Sequence, residues 1–195
     1  MRPRDDKDPR IERSRGCVLE ATGELLQELG YGPLTIEAVA ARSGVAKSTI
    51  YRHWSGKAAL VADAFSHLHD REAPAAPPPG PVRDRVVAVL QQLAIDMASH
   101  DRLACLIPAL IDAAERSEEM AALAPQLVDE RAQSLVDVLD DGVKTGDLRP
   151  DIDTRLLADA LTGPLVLARL FHRPPIDPAD IPAIVDQILP RTAGG

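Results

Sequence analysis

Between residues 35 and 57 the chain gathers hydroxyl and cationic side chains at close spacing: Thr35, then Lys47, Ser48, Thr49, Tyr51, Arg52 and His53, then Lys57. These are donors suited to a partner rich in acceptors. A lysine can donate to guanine O6 and N7, and a serine can bond base edges in either sense, which nominates Lys47 and Ser48 as readers of bases. The hydroxyls of Thr35, Thr49 and Tyr51 suit phosphate oxygens. Lys57 falls in the first turn of a predicted helix, where free amides and an ammonium together favour an anion. Arg52 fits a phosphate or a base, and His53 either joins this surface or packs in the turn beside it. The bland alternative is that cations on short helices are simply solvated, as most are. Against it, the chain has only 4 Lys beside 18 Arg, and Lys47 and Lys57 are half of those lysines.

Such side chains need elements to aim them, and the sequence supplies short ones. Thr35 is a plausible N-cap for a helix whose apolar stripe is Ile36, Val39 and Ala40. Ser43-Gly44-Val45 breaks that helix, and a second runs from about Ala46 to His53 with Ile50 turned inward. Two short helices joined by a Gly-containing turn form the helix-turn-helix pattern, whose second helix enters a major groove. Before them, Ile11 to Leu29 has helical spacing at Val18, Leu25, Leu26 and Leu29, and Gly30 stops it. After them, Gly56 to about Arg71 places Leu60, Val61, Ala64, Phe65 and Leu68 on one side.

Residues 1–10 have no apolar period and are expected to be a disordered arm. The stretch Ala73 to Pro81, APAAPPPGP, cannot continue a helix and is expected to be an extended linker. Domains are therefore placed at 11–72 and 82–195. Beyond the linker every segment is helical in pattern. One stripe is Val82, Val86, Val89, Leu90, Leu93 and Met97; the next is Leu103, Leu106, Ile107, Leu110, Ile111 and Ala114, with Pro108 at a start or kink. Ser117 to Lys144 holds one helix or two divided at Pro125. Leu156 to Phe171 follows, with Gly163-Pro164 as an expected interruption and apolar residues on more than one side. The last helix carries Ile181, Ile184, Val185, Ile188 and Leu189.

Composition agrees. Aromatics make up 3% of the 195 residues, so material favoured in strands is scarce and the fold class is all-α. No apolar run approaches the roughly 18–20 residues that span a bilayer, and Met1 to Arg15 is charged without a following apolar region, so a cytoplasmic protein with no membrane partner is expected. Cys17 and Cys105 form no C-x-x-C pair, so no disulfide framework or zinc cage is expected. The net charge of −8 is unevenly spread: residues 1–57 carry 10 Lys and Arg against 8 Asp and Glu, a net of +2, and the remainder carries 12 against 22, a net of −10. Only a docking face must be positive to bind DNA.

The segment TIEAVAARSGVAKSTIYRHWSGKAALVADAF, Thr35 to Phe65, closely resembles the DNA-binding domain of TetR-family transcriptional regulators. The residues that carry the resemblance are Ala40, Gly44 and Val45, then Tyr51, His53 and Trp54, then Lys57 and Leu60. It covers roughly the first 70 residues, and the GDLRPDID turn, Gly146 to Asp153, recurs before the eighth helix of many members. The resemblance implies an N-terminal three-helix helix-turn-helix domain joined to a C-terminal helical ligand-binding and dimerisation domain. It implies that Thr35, Thr49, Tyr51 and Lys57 clamp the DNA backbone. Trp54, by its family position, packs between helices. The partners implied are a double-stranded DNA operator, a second copy of the chain and a small-molecule effector.

For the effector pocket, the soft or polar residues among apolar stripes are the candidates: Met97, Cys105, Leu106, Leu110 and Gln133, although each also fits plain core packing. The dimer is expected through the last two helices, about 153–173 and 178–190, with Leu157, Leu161, Leu165, Ile184 and Ile188 in a four-helix bundle. No cofactor, metal or catalysis is expected. Ser55-Gly56-Lys57 lacks the remaining residues of a phosphate loop, and Asp63, His67 and Asp70, though on one helical face, fit solvated surface better than a metal site. The rival to a DNA-binding regulator is a helical ligand-binding or protein-interaction module that does not bind DNA.

Overall fold

A computed structural model describes residues 9–72, 77–98, 102–171 and 175–189 of the chain. The elements are α1 (Pro9–Leu29), α2 (Ile36–Ser43), α3 (Lys47–His53), α4 (Lys57–Glu72), α5 (Val82–Ala98), α6 (Arg102–Arg116), α7 (Glu118–Thr145), α8 (Thr154–Phe171), a 3-10 turn (Pro178–Asp180) and α9 (Ile181–Ile188). The fold is all-α, with no strand among the described residues. The first helix starts two residues earlier than the apolar pattern suggests, because proline is well tolerated in a helix's first turn and Pro9 opens it. The rest of the expected arm, residues 1–8, lies outside the described residues, as do residues 73–76 of the expected linker. Residues 77–81 carry no helix.

Two compact units form. One comprises the described residues of Met1–Glu72 with Cys105–Leu127, and the other those of Ala73–Ala104 with Val128–Gly195. The sequence places 105–127 wholly with the C-terminal part; the contacts instead group it with the helix-turn-helix region.

In the first unit α1 packs on α4 and α2, and α2 packs on α3. Its core is Val18, Leu19, Leu26, Leu34, Val39, Ile50, Leu60 and Val61, all essentially inaccessible to solvent. Thr35 caps α2: its side-chain oxygen accepts from the Ala38 amide at 3.1 Å. At the other end Gly44 sits at φ +70° and donates its amide to the Ala40 carbonyl at 3.0 Å. That left-handed geometry favours glycine and turns the chain from α2 into α3.

In the second unit α5 packs on α8 and α9, and α8 on α9. The joint core takes Val82, Val86, Leu90, Ala94 and Met97 from α5, Ala158, Leu161, Leu165 and Ala168 from α8, and Ile181 and Val185 from α9. Gly142 lies so close to α5 that a Cβ there would stand 2.6 Å from Val82 Cγ2. Ion pairs trim the edges: Arg83 grips Asp186 at 2.7 and 2.9 Å, and Arg85 reaches Asp141 at 3.1 Å.

α7 is one helix with Pro125 inside it, which decides between the two arrangements the sequence allows, and Pro108 lies within α6. Two expectations need correction. α8 runs through Gly163-Pro164 without interruption. Proline there removes one backbone donor, but its fixed φ is helical, and the Thr162 hydroxyl next to it donates to the Ala158 carbonyl at 3.0 Å. Leu161 and Leu165 belong to the chain's own core, at 0% and 3% exposure, so they have no surface to offer a second subunit.

Candidate nucleic-acid interface

α3 is seven residues long and buries a single side chain, Ile50. With 3.6 residues per turn, Ser48 and Arg52 lie opposite Ile50 and Lys47 and Tyr51 to one side of it, and all four are exposed. Tyr51 is 55% exposed, so its hydroxyl is open to a partner. Thr49 is half-buried and His53 exposed. His53 stacks obliquely near Trp54, with ring centroids 5.6 Å apart. Thr35 is exposed at the start of α2, and its hydroxyl hydrogen stays available while its oxygen caps the helix.

Two of the expected DNA contacts carry partners of their own. Lys47 Nζ pairs with Glu37 Oε1 at 3.2 Å, both side chains being more than half exposed. Glu37, in the first turn of α2, is held below the usual carboxylate pKa by its own backbone hydrogen bond and then by Lys47. A phosphate or base edge that engages Lys47 must compete with this carboxylate. Lys57 donates to the carbonyls of Tyr31 at 2.8 Å and Gly32 at 3.2 Å, and its ammonium lies 4.1 Å from the centre of the Tyr31 ring. Partial burial lowers its pKa from the ordinary lysine value. Lys57 therefore ties the loop after α1 to the start of α4, with one of its three donors left over for an anion.

The framework behind this face is polar. Arg42, at the end of α2, meets Glu28 at 2.7 Å and Glu24 at 3.3 Å, and its pKa is raised chiefly by the bond to Glu28. On the other side Trp54 is 5% exposed, packed between helices as the resemblance implies. Its Nε1 donates to Asp63 Oδ2 at 2.8 Å, and Arg15 Nη2 donates to both Asp63 oxygens at 2.9 and 2.7 Å. Asp63 is thus occupied by protein donors, and no cluster of His, Cys, Asp and Glu able to hold a metal occurs among the described residues.

Glu37, Arg42 and Arg15 escape sequence reasoning, and Asp63, expected to be solvated surface, is instead half-buried between Arg15 and Trp54. Only Glu37 leaves a trace, as a first-turn acid ten positions before the reading lysine.

The C-terminal candidates scatter. Met97 is buried on α5 and Leu110 half-buried on α6. Gln133 is exposed and donates to Asp137 at 2.8 Å one turn along α7, so it is a surface residue and not a buried lining group. Cys105 and Leu106 lie in α6, with side chains outside the described residues. Leu157, Ile184 and Ile188 are half-buried. The open apolar residues of α8 are instead Leu156, Leu167 and Phe171, at 66, 51 and 74% exposure. With Ala160 and Gly163, also exposed, they follow one face at helical spacing.

No helix among the described residues is long and apolar enough to cross a membrane. Residues 18–64 match the model described as "Bacterial regulatory proteins, tetR family", and residues 76–188 that of "Tetracyclin repressor-like, C-terminal domain". The chain is 30% identical over 158 residues to the HTH-type transcriptional regulator YdeS of Bacillus subtilis, covering 80% of this chain and 78% of the relative. It is 29% identical over 182 residues to the DNA-binding transcriptional repressor TetR of Mycobacteroides abscessus, covering 92% and 94%. The crystal structure of the TetR family transcription regulator SCO0332 superposes with a TM-score of 0.70 at 32% identity, over 90% of this chain and 96% of that one. Two family models, full-length relatives and an exposed helix-turn-helix face agree that the chain belongs to the TetR family of DNA-binding transcriptional regulators, which are not enzymes.

Proposed function

We propose that this chain is a repressor that binds a palindromic operator as a homodimer and is released by a small-molecule effector. The observation that carries the reading is the face of α3, where Lys47, Ser48, Tyr51 and Arg52 are all exposed and Ile50 alone anchors the helix. A helix of about 10 Å fits a major groove, with its N-terminal residues toward base edges. Residues 11–72 form the DNA-binding domain, and Thr35, Thr49, Tyr51 and Lys57 supply backbone contacts around α3. Residues 82–195 form the ligand-binding and dimerisation domain, joined through 73–81. The relative from Mycobacteroides abscessus, named as a repressor, supports repression over activation.

Dimerisation uses α8 and α9, but through the open stripe of Leu156, Ala160, Gly163, Leu167 and Phe171. Small residues at its middle allow two helices close approach. Two-fold symmetry then requires half-sites about 34–36 Å apart or a multiple of that. The effector acts by differing affinity for two conformations, with a coupling of ~1–3 kcal/mol typical of such systems, and Met97 on α5 is a soft, adaptable lining residue for its pocket.

The test is selection of duplexes from random DNA by the intact protein, followed by fluorescence-anisotropy titration of the enriched and scrambled duplexes across salt. An inverted repeat bound ~10³-fold or more above the scrambled control, weakening as salt rises, is the expected result. No enrichment, with equal weak binding to both, would overturn the reading in favour of a helical module that does not bind DNA.

A further inference from the structure

α3 is too short to hold its own direction. Seven residues make less than two full turns beyond nucleation, and isolated helices of that length do not persist in water. Its N-cap, Ala46, forms no side-chain cap bond, the Lys47–Glu37 pair at that end is solvent-exposed, and one buried isoleucine fixes a point and not an orientation. The other fixed point is its C-cap, Trp54, whose amide closes the helix on the Ile50 carbonyl at 3.0 Å while the backbone turns extended. From there the indole reaches Asp63 on α4, 2.8 Å from Nε1 to Oδ2. Asp63 is itself held by Arg15 of α1 through two bonds of 2.9 and 2.7 Å. Three helices thus meet at one half-buried carboxylate that no DNA backbone or base edge need touch.

We propose that Asp63 is a positioning residue for DNA reading: by holding the Trp54 indole it sets the direction in which α3 presents Lys47, Ser48, Tyr51 and Arg52. The proposal rests on the DNA-reading function above and names the residue that aims the helix. The chemistry is specific to a carboxylate. It accepts from the indole N–H on Oδ2 and from Arg15 Nη2 across both oxygens at once, and hydrogen bonds to an ionised acceptor are shorter and stronger than those to a neutral one. An asparagine of the same shape keeps one acceptor oxygen: at the Oδ2 position, where the indole and the 2.7 Å Arg15 bond both end, it sets its amide donor against Arg15 Nη2, and reversed it sets that donor against both, so the joint is disturbed either way.

The experiment uses the full chain and its Asp63→Asn, Trp54→Phe and double variants. Each is titrated against a duplex that the unaltered protein has enriched from random DNA and against its scrambled form, well below the unfolding midpoint. Asp63→Asn and Trp54→Phe are each expected to weaken the enriched duplex roughly ten-fold, the size of one degraded base contact. The scrambled duplex should change by less than about two-fold, because phosphate contacts tolerate small misalignment. The double variant should lose no more than either single one, since both break the same bond. Trp54 is the one tryptophan of the chain, so its emission reports the site directly, and Asp63→Asn should shift it to the red.

A lowered midpoint with an unchanged ratio of enriched to scrambled affinity would reduce Asp63 to a structural residue and overturn the proposal. Additive losses would overturn it too, since Asp63 would then act other than through Trp54. If Asp63→Asn fails to fold, Trp54→Phe decides alone: a folded variant with an intact ratio refutes, and one with the ten-fold loss supports. Failure of the unaltered protein to enrich any duplex would refute the DNA-reading function, and the proposal with it.

Discussion

α3 and α8 are held by opposite means. α3 buries one side chain and is tethered at its ends by directional polar bonds, Lys47 to Glu37 of α2 and Trp54 to Asp63 of α4. α8 buries Ala158, Leu161, Leu165 and Ala168 along its length and is placed by area. Area fixes a helix firmly but leaves its exact azimuth to packing; hydrogen bonds fix direction while leaving the outer face bare. A helix that must present side chains to a partner is better served by the second arrangement, and one that must form a core by the first.

The contrast can be broken at its strongest point. Leu161→Ala, at a fully buried site, should lower unfolding free energy by ~2–5 kcal/mol in a denaturant titration. Leu167→Glu on the open side of the same helix should leave the fold of the protomer nearly unchanged and abolish the dimer by light scattering; a dimer that survives it would remove α8's open stripe from the interface. On α3 the order of effects reverses. Lys47→Glu should scarcely alter the unfolding midpoint yet reduce affinity for the enriched duplex by roughly five- to 150-fold, the span of one lost base contact, read by anisotropy. An unchanged affinity would take Lys47 out of the reading set.

Smaller changes sharpen the same comparison. Glu37→Gln frees Lys47 and removes a negative charge from the docking face, so binding to scrambled DNA should rise by roughly two- to five-fold, as expected for an exposed pair, with selectivity falling. The smallest effect belongs to the edge of the second unit. The Asp141 carboxyl is held below its ordinary pKa first by the hydrogen bond from Arg85, so its contribution is present above the usual carboxylate range and lost as pH falls through the depressed value. Arg85→Met should therefore lower stability slightly at neutral pH and leave it unchanged at low pH, which flattens the acid limb of the stability profile, as acid titration of the midpoint would show.

What the sequence makes legible follows from the range of each signal. The Thr35 cap, the Gly44 turn, the Ile50 anchor and the exposed Lys47 and Ser48 are local, set within a few residues, and they stand where the pattern puts them. The pairing of Trp54 with Asp63 and of Arg15 with Asp63 spans 9 and 48 positions, and nothing in the spacing marks it. α8 fails for another reason. Leu156, Leu157, Leu161, Leu165 and Leu167 surround the helix, so apolar periodicity cannot say which side is core. The choice of Leu161 and Leu165 for a subunit interface thus took the inner face for the outer one, and only packing against α5 separates the two.

The bare start of α3 has a kinetic side. An alanine N-cap forgoes the ~0.5–2 kcal/mol that a serine, threonine or acidic cap contributes, so the first amides of the helix, at Lys47 and Ser48, should be among the fastest to exchange their hydrogens with solvent in the free protein.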